Sequence, residues 1–132
     1  GFKGVEIGTN VNGVSIGEQR YAPFFATAER LGAAIFVHAL HPAGTERLVG
    51  PPGMPALALF PCETSTAIVS LMMAGIIGRH PRLRIAFSHG GGSFPYVLPR
   101  YQTTWSGGLW NEELPEGEAP GAASLPRSPM AE

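Results

Sequence analysis

Charge is scarce in this sequence. Only 14% of its 132 residues are charged, and nine Lys and Arg against ten Asp and Glu leave a formal net charge of −1. No basic stretch accumulates of the kind that neutralises phosphates, so a nucleic-acid partner is not expected. Cysteine is scarcer still: Cys62 stands alone, which excludes an internal disulfide framework and fits a reducing cytoplasm. Long apolar runs are also missing. The longest, residues 67–77, contains Ser70 and Gly75 and falls short of the roughly 20 residues that span a bilayer, so no membrane partner is expected. No signal-peptide pattern is visible. The chain opens on Gly1 rather than methionine, already inside a strand-like motif, and reads as a piece of something longer.

What remains is 44% hydrophobic residues in an alternating pattern. Residues 4–8 form a short strand, followed by a loop rich in Gly and Asn through Gly17. Phe24, Phe25, Ala28 and Leu31 repeat at the three-to-four spacing of an amphipathic helix over 20–31, which Gly32 ends. A strand over 34–38 follows, then a long loop, residues 41–60, broken by prolines. Pro61-Cys62-Glu63-Thr64 opens a second helix, with an acid in its first turn where the helix dipole favours it. That helix is expected to run to about Gly78, and His80-Pro81 to end it. A strand over 84–89 and a third helix over 94–105 complete the order. Strand–helix units in series predict an α/β fold with a parallel sheet and right-handed crossovers. Three consecutive βα units cannot close a barrel of eight but would supply an arc of one, an incomplete (β/α)8 TIM barrel. Residues 1–105 carry that pattern. Residues 106–132, with Pro115, Pro120, Pro126 and Pro129 and no apolar period, read as an extended loop or tail.

Both later strands end in a histidine, His38 and His89, and His89 runs into Gly90-Gly91-Gly92. The carboxyl ends of parallel strands are where loops carry catalysis, so two imidazoles are expected on one functional rim. Strand alternation groups Phe36 with His38 and, separately, Ile85 and Phe87 with His89. The glycines allow positive φ and a close approach to a ligand, and a tight turn explains them nearly as well. His41 lies in a loop and is expected to be structural or solvent-exposed, and His80, on the opposite, stability face of a barrel, is expected to be inert. Cys62 has nothing beside it that marks a reactive thiol. Met72 and Met73 read as core packing.

These residues resemble a known family. Gly4-Val5-Glu6-Ile7-Gly8-Thr9-Asn10-Val11-Asn12-Gly13, Phe36-Val37-His38, Pro61-Cys62-Glu63-Thr64-Ser65-Thr66-Ala67-Ile68, Pro81-Arg82-Leu83-Arg84 and Phe87-Ser88-His89-Gly90-Gly91-Gly92-Ser93-Phe94-Pro95 are similar, in that order, to the aminocarboxymuconate-semialdehyde decarboxylase branch of the amidohydrolase superfamily. The likeness covers roughly Gly1 to Arg100 and implies a metal-dependent (β/α)8 barrel of which this chain is the middle. It further implies that His38 ligates a single divalent metal, usually zinc, and that His89 serves in proton transfer beside it. Arg100, eleven residues after His89, matches an arginine that binds the substrate carboxylate from a neighbouring subunit, which implies a homodimer. The remaining ligands of that family, a His-x-His pair and an aspartate, have no counterpart here.

The implied chemistry suits these residue types. A neutral imidazole is a good ligand for zinc, a second histidine moves protons near neutral pH, and an arginine fork matches a carboxylate at two points. The expected activity is release of carbon dioxide from a small unsaturated or aromatic carboxylic acid. Many relatives follow the metal histidine with Pro-Trp, whereas Ala39-Leu40 stands here and leaves the identity of the acid open. The alternatives are a metal-dependent hydrolase of the same superfamily, or a module without catalysis of its own.

Overall fold

The computed structural model describes residues 1–105. Three parallel strands make the main sheet: β1 (Gly4–Ile7), β4 (Ala34–Val37) and β5 (Arg84–Phe87), in the order β1-β4-β5. Between β1 and α1 lies a small antiparallel hairpin of β2 (Asn10–Val11) and β3 (Val14–Ser15), inside the stretch expected to be loop. Helix α1 (Ala22–Leu31) returns the chain from β1 to β4, and α2 (Phe60–Met73) with the short α3 (Ile76–Arg79) returns it from β4 to β5. Helix α4 (Phe94–Trp105) follows β5, at the expected place despite Pro95 and Pro99. The expected tail, 106–132, lies outside the described residues.

The pairing register decides which face each strand residue serves. Val5, Ile35 and Ile85 are paired across the sheet, as are Ile7, Val37 and Phe87. This set faces the helices. Ile35 and Val37 of the central strand are buried together with Phe25 and Ala28 of α1, Ala67 and Leu71 of α2 and Ile76 of α3. The alternate set, Glu6, Phe36 and Ala86, lies on the other face, where Phe36 is 40% exposed. One face is therefore a finished core and the other stands open, as expected of a barrel arc whose interior is filled by further strands.

Packing rather than end chemistry holds the helices. Neither α1 nor α2 has a side-chain N-cap, a feature worth about 1 kcal/mol. Fully burying one large apolar side chain contributes about 1.5–3 kcal/mol, and Phe25, Leu71 and Ile76 are each at most 1% exposed. Gly32 closes α1 in the left-handed conformation at φ 62°, its N–H donating to the Ala28 and Glu29 carbonyls. Gly75 does the same at φ 68° and divides the expected 61–78 helix into α2 and α3. At its other end α2 is continuous with a π-helical turn, Pro55–Leu59, in the stretch expected to be loop. The combined segment Pro55–Met73 has the length and hydropathy of a membrane span. Its buried residues pack in the domain core, and core helices share that composition.

His80 lies at the amino end of β5, away from the histidine rim, as expected. Its Nδ1 is 3.1 Å from Glu29 Oε2, and the Arg82 backbone N–H donates to Glu29 Oε1 at 2.9 Å. These contacts tie the end of α1 to the approach to β5. The Arg82 N–H first, and His80 second, hold the Glu29 carboxyl below its ordinary 4.5. A lowered pKa means that the folded state favours the ionised form, so its stabilisation is present above pH 4.5 and is lost as pH falls through the folded value. Glu29→Gln is expected to flatten this acid limb of the stability curve, as measured by urea midpoints from neutral pH downward.

Candidate active site

His38 is the first residue past β4, and its backbone N–H continues the ladder by donating to Ile7 O at 2.9 Å. Alternation puts its side chain on the open face, two residues from Phe36. The two rings stack with centroids 5.9 Å apart. Sequence pattern alone missed Glu6, the neighbour of Phe36 in the register on the same face. Glu6 Oε1 lies 3.3 Å from His38 Nδ1. That nitrogen is buried and lacks a partner of hydrogen-bond geometry, although the side chain as a whole is 29% exposed. Nδ1 thus lies beside a carboxylate without being hydrogen-bonded to it, and the exposed part of the ring lies away from that nitrogen.

His89 reaches the same rim by a different route. Strand β5 ends at Phe87, and the expected 84–89 strand gives way to a 3-10 turn over His89–Gly91. Continued alternation would have put His89 with Phe87, on the helix-packed face. His89 instead has φ 53°, in the left-handed region that non-glycine residues rarely enter. This one backbone change turns the ring to the open side, where it stacks on His38 with centroids 5.3 Å apart. Phe60, in the first turn of α2, meets the His89 ring at 5.6 Å between centroids, tilted by 48°. Non-glycine positive φ concentrates where function requires a particular side-chain placement.

The turn is held down by α2. His89 Nδ1 lies 2.8 Å from Ser88 Oγ and 3.1 Å from Thr64 Oγ1, and Thr64 has no solvent exposure. A Cβ added at Gly92 would run into the Pro61 carbonyl, which also accepts from the Ser93 N–H at 3.3 Å. At Gly92 the backbone thus approaches the helix closely, while Gly90 has open space around it. Glu63, one turn below Phe60, accepts from Thr9 Oγ1 at 3.0 Å, Asn10 Nδ2 at 3.4 Å and the Ala43 N–H at 3.2 Å. Read only as a favourable charge in a first turn, it also ties the loop after β1 to the loop after β4.

Arg100 lies on the exposed side of α4. Ala39 is fully buried and Leu40 is 47% exposed, so Leu40 alone of that pair is offered to the surface. His41 is exposed, and its carbonyl accepts from Asn10 Nδ2. Cys62 is also exposed. Among the described residues, no three His, Cys, Asp or Glu side chains come together as a metal cluster. His38 nevertheless fits a metal site: its buried Nδ1 lacks a hydrogen-bond partner, and Glu6 beside it is the kind of carboxylate that steadies a ligating imidazole.

The sequence model of the amidohydrolase family matches residues 1–125. The chain belongs to the amidohydrolase family. It is 39% identical over 102 residues to a 2-amino-3-carboxymuconate-6-semialdehyde decarboxylase of Dictyostelium discoideum, a match covering 77% of this chain and 28% of that protein. The chain therefore spans under a third of the length of that relative. Superposition on a 5-carboxyvanillate decarboxylase of Sphingomonas paucimobilis gives a TM-score of 0.75 at 25% identity, covering 98% of this chain and 37% of the other. A dihydroxybenzoic acid decarboxylase of Polaromonas, solved with manganese and 2-nitroresorcinol, shares the fold at a TM-score of 0.61 and 21% identity, with 89% and 34% coverage. The three-stranded α/β unit is an arc of the amidohydrolase TIM barrel.

The two glycines flanking Gly91 test what holds the turn. Gly90 has φ 60° and open space around its α-carbon, whereas Gly92 combines φ 63° and ψ −135° with the Pro61 carbonyl. Gly90→Ala is expected to cost about 1 kcal/mol, the usual penalty of a left-handed alanine. Gly92→Ala is expected to cost at least about 3 kcal/mol, because that φ/ψ region is nearly glycine-only and the backbone must also move. Denaturant midpoints of the two variants measure the difference.

Proposed function

We propose that the protein carrying this chain is a metal-dependent decarboxylase that releases carbon dioxide from a small unsaturated or aromatic carboxylic acid. The observation that carries this reading is the stacking of His38 and His89 on the carboxyl rim, 5.3 Å between centroids, in a chain whose similar relatives bear decarboxylase names. His38, with Glu6 beside its Nδ1, is the residue of this chain that would hold the metal. The cation is divalent, with zinc our assignment and manganese recorded in the Polaromonas relative. When bound, such a cation stabilises negative charge that develops on the substrate.

The chain's own residues supply the rest. As the carbon–carbon bond breaks, the electron pair stays on the substrate carbon and carbon dioxide departs. A proton must then reach that carbon, and His89 is the imidazole placed to carry it. Phe36 and Phe60 give the site apolar walls, which suit a planar unsaturated acid and keep water from competing for its charge. Arg100, exposed on α4, would pair with the carboxylate of a substrate held by a second subunit, which makes the working protein a homodimer. Its solitary cysteine supports a cytoplasmic setting.

Two substitutions separate the roles of the histidines. His38→Ala is expected to lose most of its metal, since the remaining ligands cannot complete the shell. Full metal occupancy on elemental analysis would remove His38 from the ligand set. His89→Ala is expected to keep the metal and to lose about 10²–10⁴-fold in turnover. Product analysis tests the reaction itself: carbon dioxide from an aromatic or muconate-type acid is expected, whereas a ring-opened acid without carbon dioxide would make the protein a hydrolase.

A further inference from the structure

His89 has two ring nitrogens, and only one neutral tautomer leaves a lone pair on the nitrogen that faces the site. The surroundings of Nδ1 determine which one forms. Ser88 Oγ lies 2.8 Å from it and Thr64 Oγ1 3.1 Å, and the two hydroxyls are 3.4 Å from each other. Thr64 is fully buried and Ser88 is 6% exposed, so these two hydroxyls must be satisfied largely without solvent, while the His89 ring they hold is exposed. Its far end is the Phe60 carbonyl, to which Thr64 Oγ1 donates at 2.9 Å.

A carbonyl can only accept, and that gives the cluster a direction. Thr64 has one hydroxyl hydrogen, and donating it to Phe60 O leaves only lone pairs toward His89 and Ser88. With the proton on Nδ1, the ring donates to Ser88 and Thr64 together, Ser88 donates on to Thr64, and every contact joins a hydrogen to a lone pair. With the proton on Nε2, the bare Nδ1 faces the Thr64 lone pairs at 3.1 Å, and Ser88 has to choose between two acceptors. The second arrangement gives up at least one buried contact and adds a repulsion.

We propose that Thr64 is a positioning residue: anchored on the Phe60 carbonyl and acting with Ser88, it fixes His89 with its proton on Nδ1. Nε2 then carries the lone pair on the exposed edge of the ring, ready to take a proton. The assignment of a proton-transfer role to His89 rests on the decarboxylase reading above, whereas the tautomer does not.

The test uses the full-length protein with nitrogen-15-labelled histidine, read by NMR at a pH where His89 is neutral, alongside steady-state decarboxylation. The wild type is expected to show a protonated Nδ1 and a bare Nε2. Thr64→Val, close in shape and without the hydroxyl, is expected to move part of the proton population to Nε2. It should also lower kcat about 3- to 10-fold, the equilibrium worth of one hydrogen bond, with KM little changed. Thr64→Ser keeps the hydroxyl and should restore both signals. A wild-type His89 protonated on Nε2 would overturn the proposal. So would a Thr64→Val protein whose tautomer stays on Nδ1, even if its activity fell, because Thr64 would then act only in packing. A full-length protein that decarboxylates no acid would refute the function above, and the nitrogen signals would still decide the tautomer.

Discussion

The site depends on where the first turns of α2 are held. Pro61, Glu63 and Thr64 reach three different parts of the rim from adjacent positions on one helix. The Pro61 carbonyl receives the Gly92–Ser93 backbone, Glu63 joins the loops after β1 and β4, and Thr64 meets the His89 ring. Cys62, between them, is exposed. These polar contacts are individually modest, about 0.5–1.5 kcal/mol each. What keeps them in register is the apolar face below, where Ala67 and Leu71 pack with Ile35 and Val37 of the central strand. Moving α2 by the length of a methyl group would disturb all three loops at once, because a close-packed core does not deform locally.

The same central strand divides the molecule into two kinds of surface. Ile35 and Val37 complete a dry core, while Phe36 and His38, on the alternate positions, look out of the sheet. The open face combines Glu6, an exposed Phe36 and an imidazole stack, a mixture that would be costly inside an ordinary core and is usual in a site. The strain is concentrated there too. His89 is one of two non-glycine residues with positive φ among the described residues, and it is the one whose ring contacts His38.

The order of strands and helices was legible in the residues themselves. Phe25 and Ala28 in α1, and Ala67 and Leu71 in α2, fall at helical spacing because each helix has one face to bury. The His38 and His89 strand ends were visible because parallel strands turn functional loops toward their carboxyl ends. Element edges were less legible. The Pro55–Leu59 turn and the α2–α3 break at Gly75 depend on helix continuation and on a left-handed glycine, which local composition signals only weakly.

The sequence by itself determined the α/β pattern, the two histidines and the family likeness, since apolar period and short motifs are local properties of the chain. The tertiary structure alone decided the faces. A period of two groups the residues of one strand, and only the register between strands tells which group meets the helices. That register put Ile85 and Phe87 with the core, and so His89 on the core side until its left-handed φ turned it back. The groups that flank the two imidazoles, Glu6 beside His38 and Thr64 beside His89, are 32 and 25 residues away along the chain. Contacts over such distances are made by packing, and no local pattern encodes them.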